Sequence, residues 1–209
     1  MAFQRDYILR MIEMMGDFLR RLGDMIDEKE RLLELDALCR EHCGLPLDTA
    51  RDLTDESLRE LLTPQARFVL SEIMYLRAKA LIEKDDQEQA DLLKSARLLL
   101  TMTDDISLCT ERSERLKELL EACEDVLLPD DYINAARFFM TGEHYDDCED
   151  AIFMAAEAAG SADDRHYCIL QGLSLLSDMR VLPNDALLPG GMSRADVDRA
   201  ISDLNKLDG

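Results

Sequence analysis

Tryptophan is absent from this 209-residue chain, aromatic side chains make up only 5% of it, and there are five prolines and nine glycines. β-Sheets draw on aromatic and β-branched residues, whereas the abundant Leu, Ala and Met of this chain favour helices. Hydrophobic residues still reach 47% and charged residues 33%, a balance that excludes a disordered chain. A chain of this length buries roughly 70% of its unfolded surface, which is enough for a hydrophobic core that needs no disulfide or metal to stabilise it. The composition predicts a folded, all-α protein.

Basic side chains are scarce. The chain has 24 Lys and Arg against 45 Asp and Glu, which gives a formal net charge of −21. Binding to a phosphate backbone depends on Lys and Arg that displace counterions, so we expect no nucleic-acid partner. The acidic excess could steer a basic peptide or protein toward a groove, or it could serve only to keep the protein in solution.

Long apolar runs are also missing. No stretch approaches the ~18 consecutive apolar residues of a membrane-spanning helix. Near the start, Asp6, Glu13 and Asp17 interrupt the apolar core that a secretory signal needs. Four of the six cysteines fall on apolar helix stripes, as small hydrophobic residues do in reduced proteins. These features predict a cytoplasmic protein without a membrane span.

The residues from Asp130 to Gly160 have the pattern of two antiparallel helices joined by a tight turn. Apolar residues recur at three- and four-residue steps on one face of each helix. They are Tyr132, Ala136, Phe139 and Met140 in the first helix, and Tyr145, Cys148, Ile152, Ala155 and Ala159 in the second. Gly142 stands between the helices, where we expect a residue with positive φ.

Part of this hairpin resembles the tetratricopeptide repeat. The pattern of an aromatic residue, a turn glycine, a tyrosine and later small residues is followed by Phe139, Gly142, Tyr145, Cys148, Ile152 and Ala155. One extra residue separates Gly142 from Tyr145, Cys148 replaces the usual Ala, and the first-helix Trp, Leu and Gly are not matched. Any closely packed helical hairpin would favour the same small residues. The resemblance implies stacked hairpins with a groove for a peptide or a helix.

The opening segment is amphipathic. One apolar stripe contains Ile8, Met11, Ile12, Met15, Leu19, Leu22 and Met25. Gly16 and Gly23 each weaken the helix by roughly 1 kcal/mol relative to Ala, so something must pack on it. Three interpretations are open: a first helix docked on its own domain, a dimer seam, or a membrane-surface helix, against which the interspersed acids argue.

The same segment carries a second resemblance. The opening F-x-x-D-Y-I-x-R-x-I motif of a bacterial family of uncharacterised proteins is matched by Phe3, Asp6, Tyr7, Ile8, Arg10 and Ile12. Members of that family are helical and tetratricopeptide-like further on. The resemblance implies a helical fold in the bacterial cytoplasm, and it assigns no functional residues.

Candidate chemistry is sparse. Cys39, His42 and Cys43 lie within one helical turn and could touch a soft metal, but a structural zinc site needs four ligands and no second pair exists. Gly190 and Gly191 precede a helix start, without the strand and Lys of a phosphate loop. The acids Glu143, Asp146, Asp147, Glu149 and Asp150 lack the spacing of a calcium loop, and we interpret them as complementing a helix dipole. We therefore predict no catalytic, cofactor or metal residues.

Helix signals divide the rest of the chain. Further helices are predicted at Glu28–Cys43, Asp55–Leu62, Pro64 to about Glu83, Gln87–Thr103, Ser107–Val126, Ala162 to about Ser177 and Arg194–Lys206. The helix from Ala162 is expected to bury Ile169, Leu170, Leu173 and Leu176. Asp178–Met192 is predicted to be a long connection.

The fold class predicted is all-α, with about nine helices in antiparallel hairpins that stack as a tetratricopeptide-like right-handed superhelix. We expect a single domain over residues 1–209, with an N-terminal amphipathic helix at 1–26, a repeat-like core at 64–177 and a capping helix at 193–207.

The function predicted is a non-catalytic interaction module or scaffold that binds a protein or peptide of unknown identity. Two alternatives stay open. One is a structural homo-oligomer assembled through the N-terminal helix. The other is a metal-binding protein that uses Cys39, His42 and Cys43.

Overall fold

The structure, a computed structural model, describes residues 10–18, 20, 21, 27–80 and 86–207, and these residues contain helices and no strand. A helical stretch at 10–18 comes first. The helices that follow are α1 (Glu28–Cys43), α2 (Leu47–Asp52), α3 (Asp55–Leu61), α4 (Pro64–Ala80), α5 (Asp86–Leu100), α6 (Ile106–Ala122), α7 (Pro129–Thr141), α8 (Tyr145–Ala158), α9 (Ala162–Arg180), α10 (Asn184–Leu187) and α11 (Arg194–Lys206). Short 3₁₀ turns lie at Glu124–Val126 and Leu188–Gly190. The all-α prediction is confirmed.

Capping side chains set most helix starts where the sequence predicted them. Thr54, Ser161 and Ser193 accept hydrogen bonds from backbone N–H groups three residues ahead, which satisfies donors that the first helical turn leaves unpaired. Asp196 returns the hydrogen bond to Ser193, completing a capping box on α11. At the other end of α1, Gly44 adopts the left-handed conformation with φ of 71°.

Three helix ends in the described part of the chain differ from the predicted ones by three or four residues. Helix α5 ends at Leu100 because the Thr101 hydroxyl and N–H both turn back to the Leu98 carbonyl. Helix α6 ends at Ala122 and is followed by a 3₁₀ turn, while α9 continues to Arg180. Two short helices, α2 and α10, were not predicted. Each begins directly after a proline that is the N-cap residue of the helix.

The chain folds into two compact units, which are described separately. Unit 1 comprises residues up to Thr101 together with Glu118–Glu124, and unit 2 comprises Met102–Lys117 together with Asp125 and the residues after it. The prediction of one domain over residues 1–209 stays a prediction.

Unit 1 is organised around α4 and α5, which pack along each other, while α1 packs on α4 and α3 on α5. Helix α4 was predicted to be covered on several faces, and this is confirmed by the burial of Phe68, Val69, Leu70, Ile73, Met74 and Leu76. Small residues let the two central helices approach closely. The hydroxyls of Ser71 and Ser95 each donate to the other residue's carbonyl at 2.9 Å.

A charged network is buried in unit 1. The Asp91 carboxylate, whose side chain is only 3% exposed, accepts from Arg51 Nε at 2.8 Å and also pairs with Arg77. Lys94 on α5 donates to the Arg51 and Leu53 carbonyls at the end of α2, and burial lowers the pKa of this lysine. The short helix α2 is therefore held by an ion pair and by a cation at its negative pole.

Three apolar side chains in the described part of the N-terminal segment are covered by the chain itself. Met11, Met15 and Phe18 are buried, with Met15 fully inaccessible to solvent. The stripe residues Ile8, Leu19, Leu22 and Met25 lie outside the described residues. The burial favours the interpretation of a first helix docked on its own domain.

Unit 2 is a stack of α7, α8, α9 and α11. Helices α7 and α8 form the predicted hairpin, α9 packs on both of them, and α11 packs on α9. The close approach of α8 and α9 depends on Gly172, because a Cβ there would lie 2.3 Å from Ile152 Cγ2. The predicted hairpin between Asp130 and Gly160 is confirmed.

Gly142 does not have the positive φ expected of it. Its φ is −78°, and the left-handed residue of this turn is Glu143, with φ of 63°. A Cβ on Gly142 would lie 3.0 Å from the backbone carbonyl of Cys109, so glycine is needed here for close packing against α6. The prediction placed the turn correctly and gave the wrong reason for the glycine.

Candidate interaction surface

Helix α7 leaves only a narrow stripe open to solvent. Most of its circumference is buried, through Tyr132, Ile133, Ala135, Ala136, Phe138 and Phe139. The remaining stripe carries Asp130, which is exposed, and Asn134 and Arg137, which are half-buried. Because these three recur at steps of four and three residues, they lie one above another along the helix.

Helix α9 presents apolar groups beside that stripe. Tyr167 is 48% exposed and Leu170 is 50% exposed, whereas the residues between them, Cys168 and Ile169, are buried. The sequence predicted that Leu170 would be buried with Ile169, and this prediction was wrong. Apolar residues occupy nearly every direction around α9 from 167 to 176, so their spacing could not indicate which side is covered.

A hydrogen-bonded guanidinium joins the two helices. Arg137 donates from Nη1 to Asn134 Oδ1 at 3.0 Å and from Nη2 to Gln171 Oε1 at 2.7 Å. These bonds fix the planar group at the surface and keep some of its donors available. We call the residues Asn134, Arg137, Tyr167, Leu170 and Gln171 the α7–α9 surface.

The surroundings of this surface are acidic. Burial raises the pKa of the Cys168 thiol, and the carboxylates of Asp130 and Asp164 raise it further. Asp130 belongs to the first turn of α7 and Asp164 to the first turn of α9, so these helix starts lie near the same point. Negative charge therefore flanks Tyr167 at the amino-terminal end of the surface.

The cysteine and histidine residues considered for a metal site occupy the last part of α1. Cys39 is fully buried, and His42 and Cys43 are half-buried. Within the described ranges, which include all three, no set of three or more His, Cys, Asp or Glu side chains could hold a metal ion. The structure does not bring this trio together as ligands.

The space beside the two glycines before α11 is occupied by other residues of the protein. A Cβ on Gly190 would lie 2.2 Å from the Glu143 carbonyl oxygen, and one on Gly191 would lie 2.5 Å from the Asp146 carboxylate. Gly191 has a φ of 87°, which favours glycine independently. A carboxylate against this turn repels an anion, so the glycines serve packing and chain reversal.

The acidic residues near Glu143 behave largely as the sequence predicted. Asp146 and Asp147 lie in the first turn of α8, where negative charge complements the helix dipole. Asp147 also pairs with Lys117 at 2.9 Å. Burial raises the pKa of Asp147, and the lysine opposes that rise. The pair ties α8 to α6 within unit 2.

A groove of about 290 Å³ lies in unit 1 between α1 and α2. Three of its charged side chains, Asp36, Arg40 and Arg77, are held in ion pairs. Asp36 accepts from Arg40 Nε at 2.7 Å and from the Leu47 N–H at 2.8 Å, while Arg77 pairs with the buried Asp91. The bond from the Leu47 N–H to Asp36 holds α2 against α1.

Comparison of the chain with models of protein families, with curated proteins and with solved structures gives no match. Of the second resemblance, Phe3, Asp6, Tyr7 and Ile8 lie outside the described residues. Both resemblances stay predictions. No helix in the described part of the chain is long and apolar enough to cross a membrane.

Proposed function

We propose that the protein is a non-catalytic interaction module that binds a protein or peptide segment across the α7–α9 surface. The observation that carries the proposal is the pairing of two half-exposed apolar side chains, Tyr167 and Leu170, with a guanidinium fixed between α7 and α9. In this proposal α7, α8 and α9 form part of a tetratricopeptide-like superhelix, and the protein works in the cytoplasm.

The composition of the surface supports binding. Aromatic residues and arginine are enriched in the cores of protein interfaces, where they supply contact area and directional hydrogen bonds. Covering the exposed half of Tyr167 or Leu170 would contribute about 1 kcal/mol each. The five side chains offer donors, acceptors and apolar area, which suits recognition.

The charge around the surface supports a basic partner. Asp130, Asp163 and Asp164 flank it, and the chain as a whole carries a net charge of −21. A segment with an apolar residue for the Tyr167–Leu170 patch and Lys or Arg beside it would complement both features. Association with such a partner is expected to slow as salt concentration rises.

Site-specific photo-crosslinking in the cells that produce the protein tests this proposal. A photoreactive phenylalanine analogue at Tyr167 is compared with the same analogue at Val181, which is 80% exposed at the end of α9 and away from the surface. We expect a defined crosslinked product from position 167 that mass spectrometry identifies as a single partner, and none of it from position 181.

Two results would count against the proposal. Equal crosslinking to many proteins from both positions would indicate contact by collision alone. A crosslink from position 167 to a second copy of this chain would show that the surface mediates self-association and does not bind a different protein.

A further inference from the structure

One arginine at the start of α4 is buried without a partner. Arg67 is only 9% exposed, and its Nε is buried with no hydrogen-bond acceptor in the described part of the chain. Its Nη1 and Nη2 are not buried in this way, and within the described residues they form no hydrogen bond either. A buried guanidinium usually pairs with a carboxylate, as Arg77 of the same helix pairs with Asp91, because removing its charge from water is costly. Arg67 therefore has outer N–H donors free for an acceptor that comes from outside the chain.

A second cation lies beside Arg67. Arg59, in the last turn of α3, is close enough that its positive charge lowers the pKa of Arg67, in addition to the larger effect of burial. Arg59 is exposed, and it forms no ion pair within the described residues. Two like charges that lie side by side repel each other, whereas an anion between them attracts both. The two helices therefore bring together two guanidinium groups whose charges are not neutralised.

The first turn of α4 adds positive potential at the same point. Side chains of a helix point back toward its amino-terminal end, so the Arg67 side chain is directed toward the connection between α3 and α4. The positive end of the helix dipole lies there as well. Two N–H groups of this turn are already bonded to Thr63, whose hydroxyl accepts from Ala66 at 3.2 Å and whose carbonyl accepts from Arg67 at 3.0 Å. The donors for an anion are therefore the two guanidinium groups, and the dipole assists them.

The negative net charge of the chain does not decide the potential here. At physiological ionic strength, exposed charges more than about 8 Å apart are largely screened from each other. Glu56 and Glu60 of α3 are exposed, where water and salt screen their charges, and in the described part of the chain neither pairs with Arg59 or Arg67. The two arginines therefore set the local potential, and the net charge of −21 acts on it only weakly.

We propose that Arg59 and Arg67 form a binding site for a phosphate group, either free phosphate or a small phosphate monoester. A guanidinium donates two parallel N–H bonds to phosphate oxygens, which makes arginine well suited to this group. A phosphate monoester carries a charge of about −1.5 to −2 at pH 7 and offers three acceptor oxygens, so one phosphate can bind both arginines at once. The site belongs to unit 1, and it does not rest on the α7–α9 surface.

Titration calorimetry of the full-length protein at constant ionic strength tests the proposal, with inorganic phosphate and glycerol phosphate as the two probes. The wild type should bind one equivalent, and the tighter probe shows whether the free ion or the monoester is the ligand. Acetate, with a single charge and two oxygens, should bind at least about tenfold more weakly. Arg67→Met and Arg59→Met should each raise the dissociation constant at least about tenfold. The matched control Arg165→Met removes an exposed arginine of α9 and should leave it unchanged.

Urea denaturation gives a second readout, which shows whether Arg67→Met folds. This variant removes a buried charge that has no partner in the described residues and keeps a long apolar side chain. Without phosphate it should therefore unfold at a higher urea midpoint than the wild type. Phosphate should raise the midpoint of the wild type, because it binds only the folded state, and should leave that of Arg67→Met unchanged.

Three results would overturn the proposal, and two of them need only the wild-type protein. The first is that neither probe binds at concentrations up to about 10 mM. The second is that acetate binds as tightly as phosphate, which would indicate a general response to anions. The third is that Arg59→Met, at an exposed side chain that folding does not require, binds phosphate as tightly as Arg165→Met does.

Discussion

Replacing Gly172 by alanine is expected to destabilise unit 2, although alanine is the better helix former. Inside α9 the change should gain about 1 kcal/mol from helix propensity. The added Cβ, however, would lie 2.3 Å from Ile152 Cγ2 and 3.0 Å from Leu204 Cδ2. Overpacking of this kind costs about 1–3 kcal/mol, and the β-branched Ile152 cannot easily turn away. The free energy of unfolding is therefore expected to fall by up to about 2 kcal/mol.

Urea denaturation followed by circular dichroism measures this loss. The control is Gly16→Ala, since Gly16 lies in the N-terminal helical stretch and a Cβ there would meet nothing within 4 Å. The free energy of unfolding of Gly16→Ala should rise by up to about 1 kcal/mol. The second control is the Ile152→Ala background, which removes the methyl group that the new Cβ meets. There Gly172→Ala should become neutral or stabilising, with a coupling energy of about 2 kcal/mol.

The reasoning would be refuted if Gly172→Ala raised the urea midpoint as Gly16→Ala does. It would also be refuted if the loss were the same with and without Ile152. Either result would mean that α8 and α9 do not approach each other this closely, and the geometry of the α7–α9 surface would then need to be revised.

Two further predictions concern unit 1. Asp91→Asn should lower the free energy of unfolding by about 3–5 kcal/mol, because it leaves the guanidinium groups of Arg51 and Arg77 in the interior without their carboxylate. The control is Asp48→Asn, at a side chain that is 91% exposed and lies 3.9 Å from Arg51. In the same urea titration it should lower the free energy of unfolding by less than about 1 kcal/mol. Hydrogen bonds from the Arg40 guanidinium and the Leu47 N–H lower the pKa of Asp36. The ionised carboxylate therefore stabilises the folded state above the unfolded-state pKa, and this stabilisation is lost as pH falls through the folded-state pKa. Asp36→Asn should therefore flatten the fall in urea midpoint between about pH 5 and pH 3, and an unchanged slope would contradict this.

Most of the helical layout followed from sequence because the signals are local. Helix signals predicted α1 and α11 with the bounds that the structure has, and apolar steps predicted the hairpin helix that is α8. Helix α2 was missed because its six residues lie between Pro46 and Thr54, where the sequence resembles a loop. What stabilises α2 is a buried ion pair and a lysine from α5, about forty positions away, and such contacts have no local signature.

The interaction surface was only partly predictable. The sequence predicted a groove between stacked helices and no particular residues in it. Leu170 was expected to be buried because α9 is apolar in most directions, and only the positions of α7, α8 and α11 decide which of those directions is covered. The reason for the glycine at position 142 could not be predicted either, because it is the Cys109 backbone of another helix that leaves no room for a side chain.

The affinity of a crosslinked partner for surface variants tests the central claim most directly. Leu170→Glu places a charge in the exposed apolar patch and adds to the negative field, while Val181→Glu adds the same charge elsewhere on unit 2. Calorimetry should show a dissociation constant at least about tenfold higher for Leu170→Glu, equivalent to about 1.4 kcal/mol, and an unchanged one for Val181→Glu. Equal binding by the wild type and Leu170→Glu would contradict the account.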